Sequence, residues 1–199
     1  LEQRVAAARK DYEVRAGKLS QARRMAAAAL SKDVTRSMQE LALAGGCFEV
    51  ALLPVDGGAA YGLEQVEFRI SGLAGGEARP LAKVASGGEL SRISLAIQVV
   101  ASRSASVPTL VFDEVDVGIG GGVAEVVGRL LASLGRDRQV LCVTHLPQVA
   151  ARAAWQWQVS KGRDGDAVTS RVVALDAAGR IEEIARMLGG VEITAITRQ

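Results

Sequence analysis

Thr109-Leu110-Val111-Phe112-Asp113-Glu114 and Val140-Leu141-Cys142-Val143-Thr144-His145 decide how this chain is read. Each is a short apolar run that ends in polar side chains able to do chemistry. Pro108 precedes the first run, a helical pattern from Val123 to Leu134 separates the two, and Pro147 opens a further helix after the second. Apolar strands alternating with helices predict an α/β fold with a largely parallel sheet, because parallel strands are covered on both faces. Ligands of such sheets bind beyond the carboxyl ends of the strands. Asp113, Glu114 and His145 therefore leave the sheet at the edge where a ligand would lie.

Upstream, Ser86-Gly87-Gly88-Glu89-Leu90-Ser91-Arg92 stands where a loop meets a helix, with helical apolar spacing from Leu90 to Ala101. A helix amino terminus presents unpaired N–H groups and partial positive charge, and glycines allow a phosphate to approach that backbone. The same residues also form a capping box, Ser86 with Glu89, and taken alone the segment is better explained as a cap. Farther upstream, Cys47 to Leu53 and Gln65 to Ile70 read as antiparallel strands around a turn at Asp56-Gly57-Gly58, forming a small β element. A glycine-rich connection from Ser71 to Glu77 follows it.

From Leu1 to about Leu43 there is no proline and one glycine, and Ala, Arg, Lys and Glu abound, which predicts one long helix or two in line. Val5, Tyr12, Leu19 and Ala26 recur at heptad spacing, with Leu1, Ala8, Ala22 and Ala29 in the complementary seam and Arg15 as an exception. The pattern is that of a coiled-coil strand. No later segment offers comparable heptads, so the partner helix is expected outside this sequence. Downstream of His145 the chain predicts strands from Trp155 to Ser160 and Val168 to Leu175, then a helix around Ile181 to Leu188. The domain division expected is a helix over 1–43 and an α/β unit over 44–199.

Composition bounds the function classes. No apolar run approaches the roughly 18 to 20 residues of a membrane span, and the amino-terminal stretch is charged, so a soluble, cytoplasmic protein is expected. Cys47 and Cys142 match no metal-site spacing and sit among apolar neighbours, which predicts two reduced core thiols. Formal net charge is +2, unevenly placed, since residues 1–40 carry nine basic and five acidic side chains. That stretch, with Arg23 and Arg24 at its centre, is either a solvated helix face or a contact for phosphates.

The chemistry can be read residue by residue. Asp113 suits Mg²⁺, a hard cation that keeps much of its hydration shell. Glu114 is then placed to polarise an attacking water as general base. His145, the only histidine, could hydrogen-bond a γ-phosphate oxygen or hold that water. Each residue has a plainer reading too: an acidic pair caps a turn, and a lone histidine is more often structural.

Taken together in this order, the segments resemble the ABC ATPase superfamily. Ser86, Gly87, Gly88 and Glu89 match its signature motif, Leu110 to Glu114 its Walker B strand, Asp116 its D-loop and His145 its switch histidine. Val84 to Arg92, Phe112 to Asp116, Thr144 to Ala150, Val159 to Lys161 and Ile181 to Gly190 are similar to the RecN family, bacterial DNA-repair ATPases of the SMC-like branch. Two stretches depart from that pattern: Ala74-Gly75-Gly76-Glu77 before the signature, and Gly118-Ile119-Gly120-Gly121-Gly122 after Asp116. No stretch matches Gly-x-x-x-x-Gly-Lys-Ser/Thr, the loop that cradles phosphates.

The resemblance implies the carboxy-terminal half of an ATPase head with the end of its coiled-coil arm. It implies ATP and Mg²⁺ as ligands and three partners: the amino-terminal half of the same head, a second head and DNA. Ser86 and Gly88 would meet nucleotide held by the second head. Asp113, Glu114 and His145 would serve nucleotide in their own, with Gly87, Glu89 and Asp116 completing the binding motifs. Such a protein would hold or bridge the ends of a double-strand break, near the nucleoid. The alternatives are a transporter's nucleotide-binding subunit, against which the heptad helix speaks, and a scaffold without turnover.

Overall fold

Helix formers without proline give the first forty residues one helix, α1 (Glu2–Glu40). It is three residues shorter than the composition suggests, because the chain closes on itself before the glycines. Leu43 N–H donates to the Met38 carbonyl at 3.1 Å, and Ala42 takes the left-handed conformation at φ 57°, a Schellman closure with alanine where glycine is usual. The computed structural model describes residues 1–72, 76–83, 87–104, 107–113, 115–164 and 167–189. These fall into two units, Leu1–Ser104 and Ala105–Gln199.

In the first unit α1 leads into β1 (Cys47–Ala59), β2 (Gly62–Ser71) and β3 (Arg79–Pro80), an antiparallel sheet in the order β1-β2-β3. A 3-10 turn (Leu81–Lys83) and helix α2 (Gly87–Ser104) complete it. The small antiparallel element is thus present, but its turn is not where the glycines suggested. Ala59 pairs with Gly62, so Ala60 and Tyr61 make the turn, and Asp56-Gly57-Gly58 lies inside β1 at an irregularity between Pro54 and Ala59. Gly57 and Gly58 have φ of 71° and 74°. A Cβ on Gly58 would collide with the Tyr12 hydroxyl, so glycine is required there on both counts.

Tyr12 belongs to a set of α1 side chains that pin the hairpin. Its hydroxyl lies 2.9 Å from the Ala59 carbonyl and 3.1 Å from that of Gly62, donating to one at a time. The Ser20 hydroxyl donates to Glu64. Arg23 donates to the Tyr61 and Glu64 carbonyls at 2.8 and 3.2 Å and pairs with the Glu64 carboxylate at 3.6 Å. The buried face of α1 runs through Ala16, Ser20, Ala27, Val34 and Met38. Most of the heptad seam is a different face: Leu1, Val5, Ala8, Ala22, Ala26 and Ala29 are exposed, while Tyr12 and Leu19 of the same series reach the hairpin. At 3.6 residues per turn the two stripes lie roughly a quarter-turn apart.

Along its outer edge β1 has no neighbouring strand among the described residues; α1 side chains take that place. Ser31 Oγ accepts from Val50 N–H at 2.9 Å. Thr35 Oγ1 accepts from Phe48 N–H at 3.0 Å and approaches the Phe48 carbonyl at 3.3 Å. Gln39 donates to the Gly46 carbonyl at 2.9 Å and accepts from Gly45 N–H at 3.0 Å. Four helical residues advance about 6 Å and two strand residues about 6.7 Å, so the register holds for three rungs before it drifts. This placement turns Phe48 inward, where its ring lies 5.3 Å from that of Phe68. Cys47, next to it, points the other way and is exposed, which corrects the expectation of a core thiol. The core is closed by Val34 and Met38 of α1, Leu41 just after it, and Ile93, Leu95, Ala96 and Val99 of α2, all buried.

In the second unit β4 (Thr109–Phe112) and β5 (Gln139–Cys142) pair in parallel, with Phe112 opposite Cys142. Helix α3 (Gly121–Leu134) joins them, and α4 (Pro147–Ala150) follows. An antiparallel hairpin of β6 (Trp157–Asp164) and β7 (Ala167–Ala174) precedes helix α5 (Ala177–Gly189). The predicted α/β alternation is present, and the parallel part of it among the described residues is the β4–β5 pair. Phe112, Val115, Ala124, Val127, Leu131 and Val149 are buried. Val111 and Val143, expected in buried strands, are 67% and 63% exposed, so among the described residues of this unit one face of the parallel pair is left uncovered. Gln158 of β6 donates to Glu183 of α5 at 2.6 Å. The Arg186 guanidinium, hydrogen-bonded to Glu183, holds that carboxyl below the usual range. No described helix is long and apolar enough to cross a membrane.

Thr35→Val keeps the shape of the side chain and strands the buried-edge N–H of Phe48. It should lower unfolding stability in urea by about 1 to 3 kcal/mol, whereas Thr35→Ser should cost well under 1 kcal/mol.

Candidate functional site

The two halves of the sequence-predicted site lie in different units and are taken separately. In the first unit Gly87 opens α2, as expected for a phosphate-approaching or capping loop; Ser86 lies outside the described residues. A Cβ on Gly87 would meet no atom within 4 Å, so nothing in the chain's own packing calls for glycine there. Gly88 and Glu89 continue the first turn of α2. Ser91 Oγ donates to the Gly87 carbonyl at 3.0 Å.

Arg92, one turn on, closes the quoted motif but was given no role from sequence. Its Nε donates to the Gly88 carbonyl at 3.2 Å, and its Nη1 reaches the Leu41 and Ala42 carbonyls at 3.3 and 3.5 Å. A cation is favourable at a helix carboxyl terminus. One guanidinium therefore ties the glycine-rich turn of α2 to the end of α1.

In the second unit parallel pairing brings Asp113 and the Val143-Thr144-His145 segment to one sheet end, because Phe112 and Cys142 are in register. Val143 N–H donates to the Phe112 carbonyl at 2.9 Å, extending the pairing by one step. Asp113 is exposed. Glu114 lies outside the described residues. Asp116 is only 3% exposed, so it sits beneath the site surface rather than on it. Its Oδ2 accepts from the Thr144 hydroxyl at 2.5 Å and from His145 N–H at 2.9 Å. His145 Nδ1 stands 3.1 Å from the same oxygen, with the imidazole 71% exposed. Thr144 Oγ1 in turn accepts from Leu146 N–H at 3.0 Å, fixing the entry to α4. Thr144 carries this role unheralded, its one sequence signal being a hydroxyl residue at a strand end.

Cys142 lies half-buried at the base of this arrangement. Burial pushes its thiol up to about 11, and the negative charges of Asp116 and Asp113 add to the effect. Among the described residues no group of three or more His, Cys, Asp or Glu could cage a metal ion. An exposed carboxylate at a strand end does fit Mg²⁺, which is held by one or two carboxylates, water and substrate phosphates rather than by an all-protein cage.

No protein-family model matches the chain. It is 48% identical over 196 residues to the DNA repair protein RecN of Xylella fastidiosa strain Temecula1, covering 98% of this chain and 35% of that protein. RecN of Haemophilus influenzae is 47% identical over 179 residues, covering 89% of this chain and 32% of that protein. RecN of Halalkalibacterium halodurans is 39% identical over 203 residues, covering 100% and 36%. The chain thus spans about a third of the length of the curated relatives it matches. Among solved structures, the Smc head of Pyrococcus yayanosii with a coiled coil and joint superposes at a TM-score of 0.63 and 24% identity, covering 78% of this chain and 28% of that one. A second, described with ATP-driven dimerization and DNA stimulated activation of SMC ATPases, superposes at 0.60 and 21% identity, covering 84% and 96%. These two likenesses establish the fold.

The two thiols should separate cleanly in alkylation. A thiol with a pKa of about 11 carries roughly 100-fold less thiolate near neutral pH than an ordinary one. Iodoacetamide at mildly alkaline pH should therefore modify exposed Cys47 first, leaving Cys142 slow until the chain unfolds, as peptide mapping by mass spectrometry would record.

Proposed function

The chain belongs to the RecN family, and from that premise we propose that it is the carboxy-terminal part of an ATP-hydrolysing, SMC-like head that acts in DNA double-strand break repair. Residues 1–43 are then the descending helix of the coiled-coil arm, and 44–199 the half-head. The observation that carries this reading is the convergence of Asp113 and His145 at the ends of two paired parallel strands. Ligands bind at that edge of such sheets.

In this reading Asp113 would hold Mg²⁺, directly or through water, and the bound ion would supply charge neutralisation for the nucleotide's phosphates. Glu114 orients and polarises the attacking water as general base, an effect worth roughly 10² to 10⁴ in rate. His145 lies beside that water and the γ-phosphate. Ser86, Gly87, Gly88 and Glu89 face nucleotide held by a second head, and the open space at Gly87 fits approach from outside the chain. Binding of ATP between two heads then doubles as dimerisation energy, and hydrolysis releases it. A structural neighbour described with ATP-driven dimerization and DNA stimulated activation supports carrying both properties here. The exposed Val111 and Val143 are the face that the amino-terminal half, with its phosphate-binding loop, would cover.

DNA contact, in the cytoplasm at the nucleoid, falls to exposed cations of α1. Arg23 is not one of them, being committed to Glu64 and the Tyr61 carbonyl. Arg24 is exposed and remains a candidate.

The isolated chain should neither bind nor hydrolyse Mg-ATP; micromolar affinity by calorimetry would refute the missing-half reading. Joined to its amino-terminal half, Glu114→Gln should accumulate an ATP-bound dimer in light scattering, and a variant that stays monomeric counts against the mechanism. In the same completed protein Arg24→Ala should reduce the slope of log affinity against log salt by about 1 if Arg24 meets a phosphate. An unchanged slope assigns it to the solvated face.

A further inference from the structure

Gly17 is the one glycine of α1, and within a helix only proline is less favoured than glycine. Packing does not ask for it, since a Cβ at Gly17 would meet no atom within 4 Å. This weakest point of the helix is nevertheless braced on both sides. Before it, the Tyr12 hydroxyl lies 2.9 Å from the Ala59 carbonyl and 3.1 Å from that of Gly62. After it, the Ser20 hydroxyl donates to Glu64, and Arg23 donates to the Tyr61 and Glu64 carbonyls at 2.8 and 3.2 Å. Leu19 also lies against Gly62. All of these partners belong to one short piece of chain, the tip of the β1–β2 hairpin from Ala59 to Glu64. Tyr12 to Arg23 is about 16 Å of helix, so the tip spans the glycine with contacts to spare.

We propose that the tip of the β1–β2 hairpin is a splint across Gly17. With Tyr12 fastened, α1 is one straight rod from the hairpin tip to its root; with Tyr12 released, the helix bends at Gly17. The fastening below the glycine is the stronger one, combining Ser20, the Arg23–Glu64 ion pair and the carbonyl contacts. The fastening above it is a single phenol hydroxyl, and one such hydrogen bond exchanged for water shifts a local equilibrium by only about tenfold. Release therefore costs far less than opening the core at Val34 and Met38 or the rungs at Ser31 and Thr35. The sheet that receives the root of α1 thus also sets the direction of the segment before Gly17. The consequence for a coiled-coil arm rests on the family reading above: the arm has one exit direction with the splint closed and gains others with it open.

The test reads distances in the whole 199-residue chain by pulsed electron spin resonance. Exposed Cys47 carries one spin label, in a Cys142→Ala background that leaves no other thiol. The second label is placed by Ala8→Cys, before the glycine, or by Ala26→Cys, between it and the root; both positions are exposed. With Tyr12 intact, each pair should give one narrow distance distribution. Tyr12→Ala should broaden the 8–47 distribution toward shorter distances and leave the 26–47 distribution narrow. Tyr12→Phe, which keeps the ring that Gly58 accommodates and loses only the hydroxyl, should broaden it in the same direction and serves if Tyr12→Ala does not fold. Adding Gly17→Ala to either variant should narrow it again. A broad 8–47 distribution with Tyr12 intact overturns the proposal, as does one that stays narrow in both Tyr12 variants. Broadening that survives Gly17→Ala, or that appears equally in the 26–47 pair, places the bend elsewhere and overturns it too. Loss of ATP turnover in the completed protein would sink the ATPase reading and leave these distances unchanged.

Discussion

A strand at the edge of a sheet carries backbone N–H and C=O groups that must find partners, and the first unit is organised by how α1 meets that demand. Ser31, Thr35 and Gln39 stand one helical turn apart and match alternate residues of β1. The helix thus behaves as a surrogate strand. Once those rungs are made, the face of α1 bearing Val34 and Met38 is committed to the core. The face bearing Val5, Ala8 and Ala22 is left outward. The same commitment brings Tyr12, Ser20 and Arg23 over the hairpin tip and so explains why glycine is needed at position 58.

The second unit solves a related problem with a single carboxylate. Parallel strands release their chains at the same end of the sheet, and the two polar segments that emerge would each carry unsatisfied groups. Asp116 collects two of them from the Thr144-His145 segment, the Thr144 hydroxyl and the His145 N–H. It joins the turn after β4 to the turn after β5. The arrangement also shapes Cys142, whose thiol is held protonated by burial and by the acidic neighbours. Polar groups that serve structure here are those that set the chemistry of the site above them.

Much of the fold could be read before any coordinates. β4 falls on the residues expected, and α3 begins two residues early at Gly121. Both are short, strongly apolar or strongly periodic, the patterns that survive tertiary context. The errors are equally specific. Asp56-Gly57-Gly58 has the composition of a turn, yet Tyr12, distant in sequence, moves the turn to Ala60-Tyr61. Cys47 sits in an apolar run, yet the strand's alternation and the inward Phe48 place it outside. Arg23 and Arg24 look equivalent along the chain, and only the position of Glu64 separates a clamp from an exposed cation. Asp116 and Arg92 escaped assignment as positioning residues because both act on backbone far away in sequence.

Sequence by itself determined the identity and order of the motifs, the α/β alternation and the absence of a phosphate-binding loop from these 199 residues. Those properties are local: they depend on which residues are neighbours along the chain and on the period of their side chains. Tertiary structure alone decided which face of α1 is used, where the hairpin turns, and which nitrogen of His145 faces the buried carboxylate of Asp116. Each of those depends on segments that meet from 13 to 47 residues apart, and hydrogen bonds between distant groups leave no periodic trace in the residues that make them.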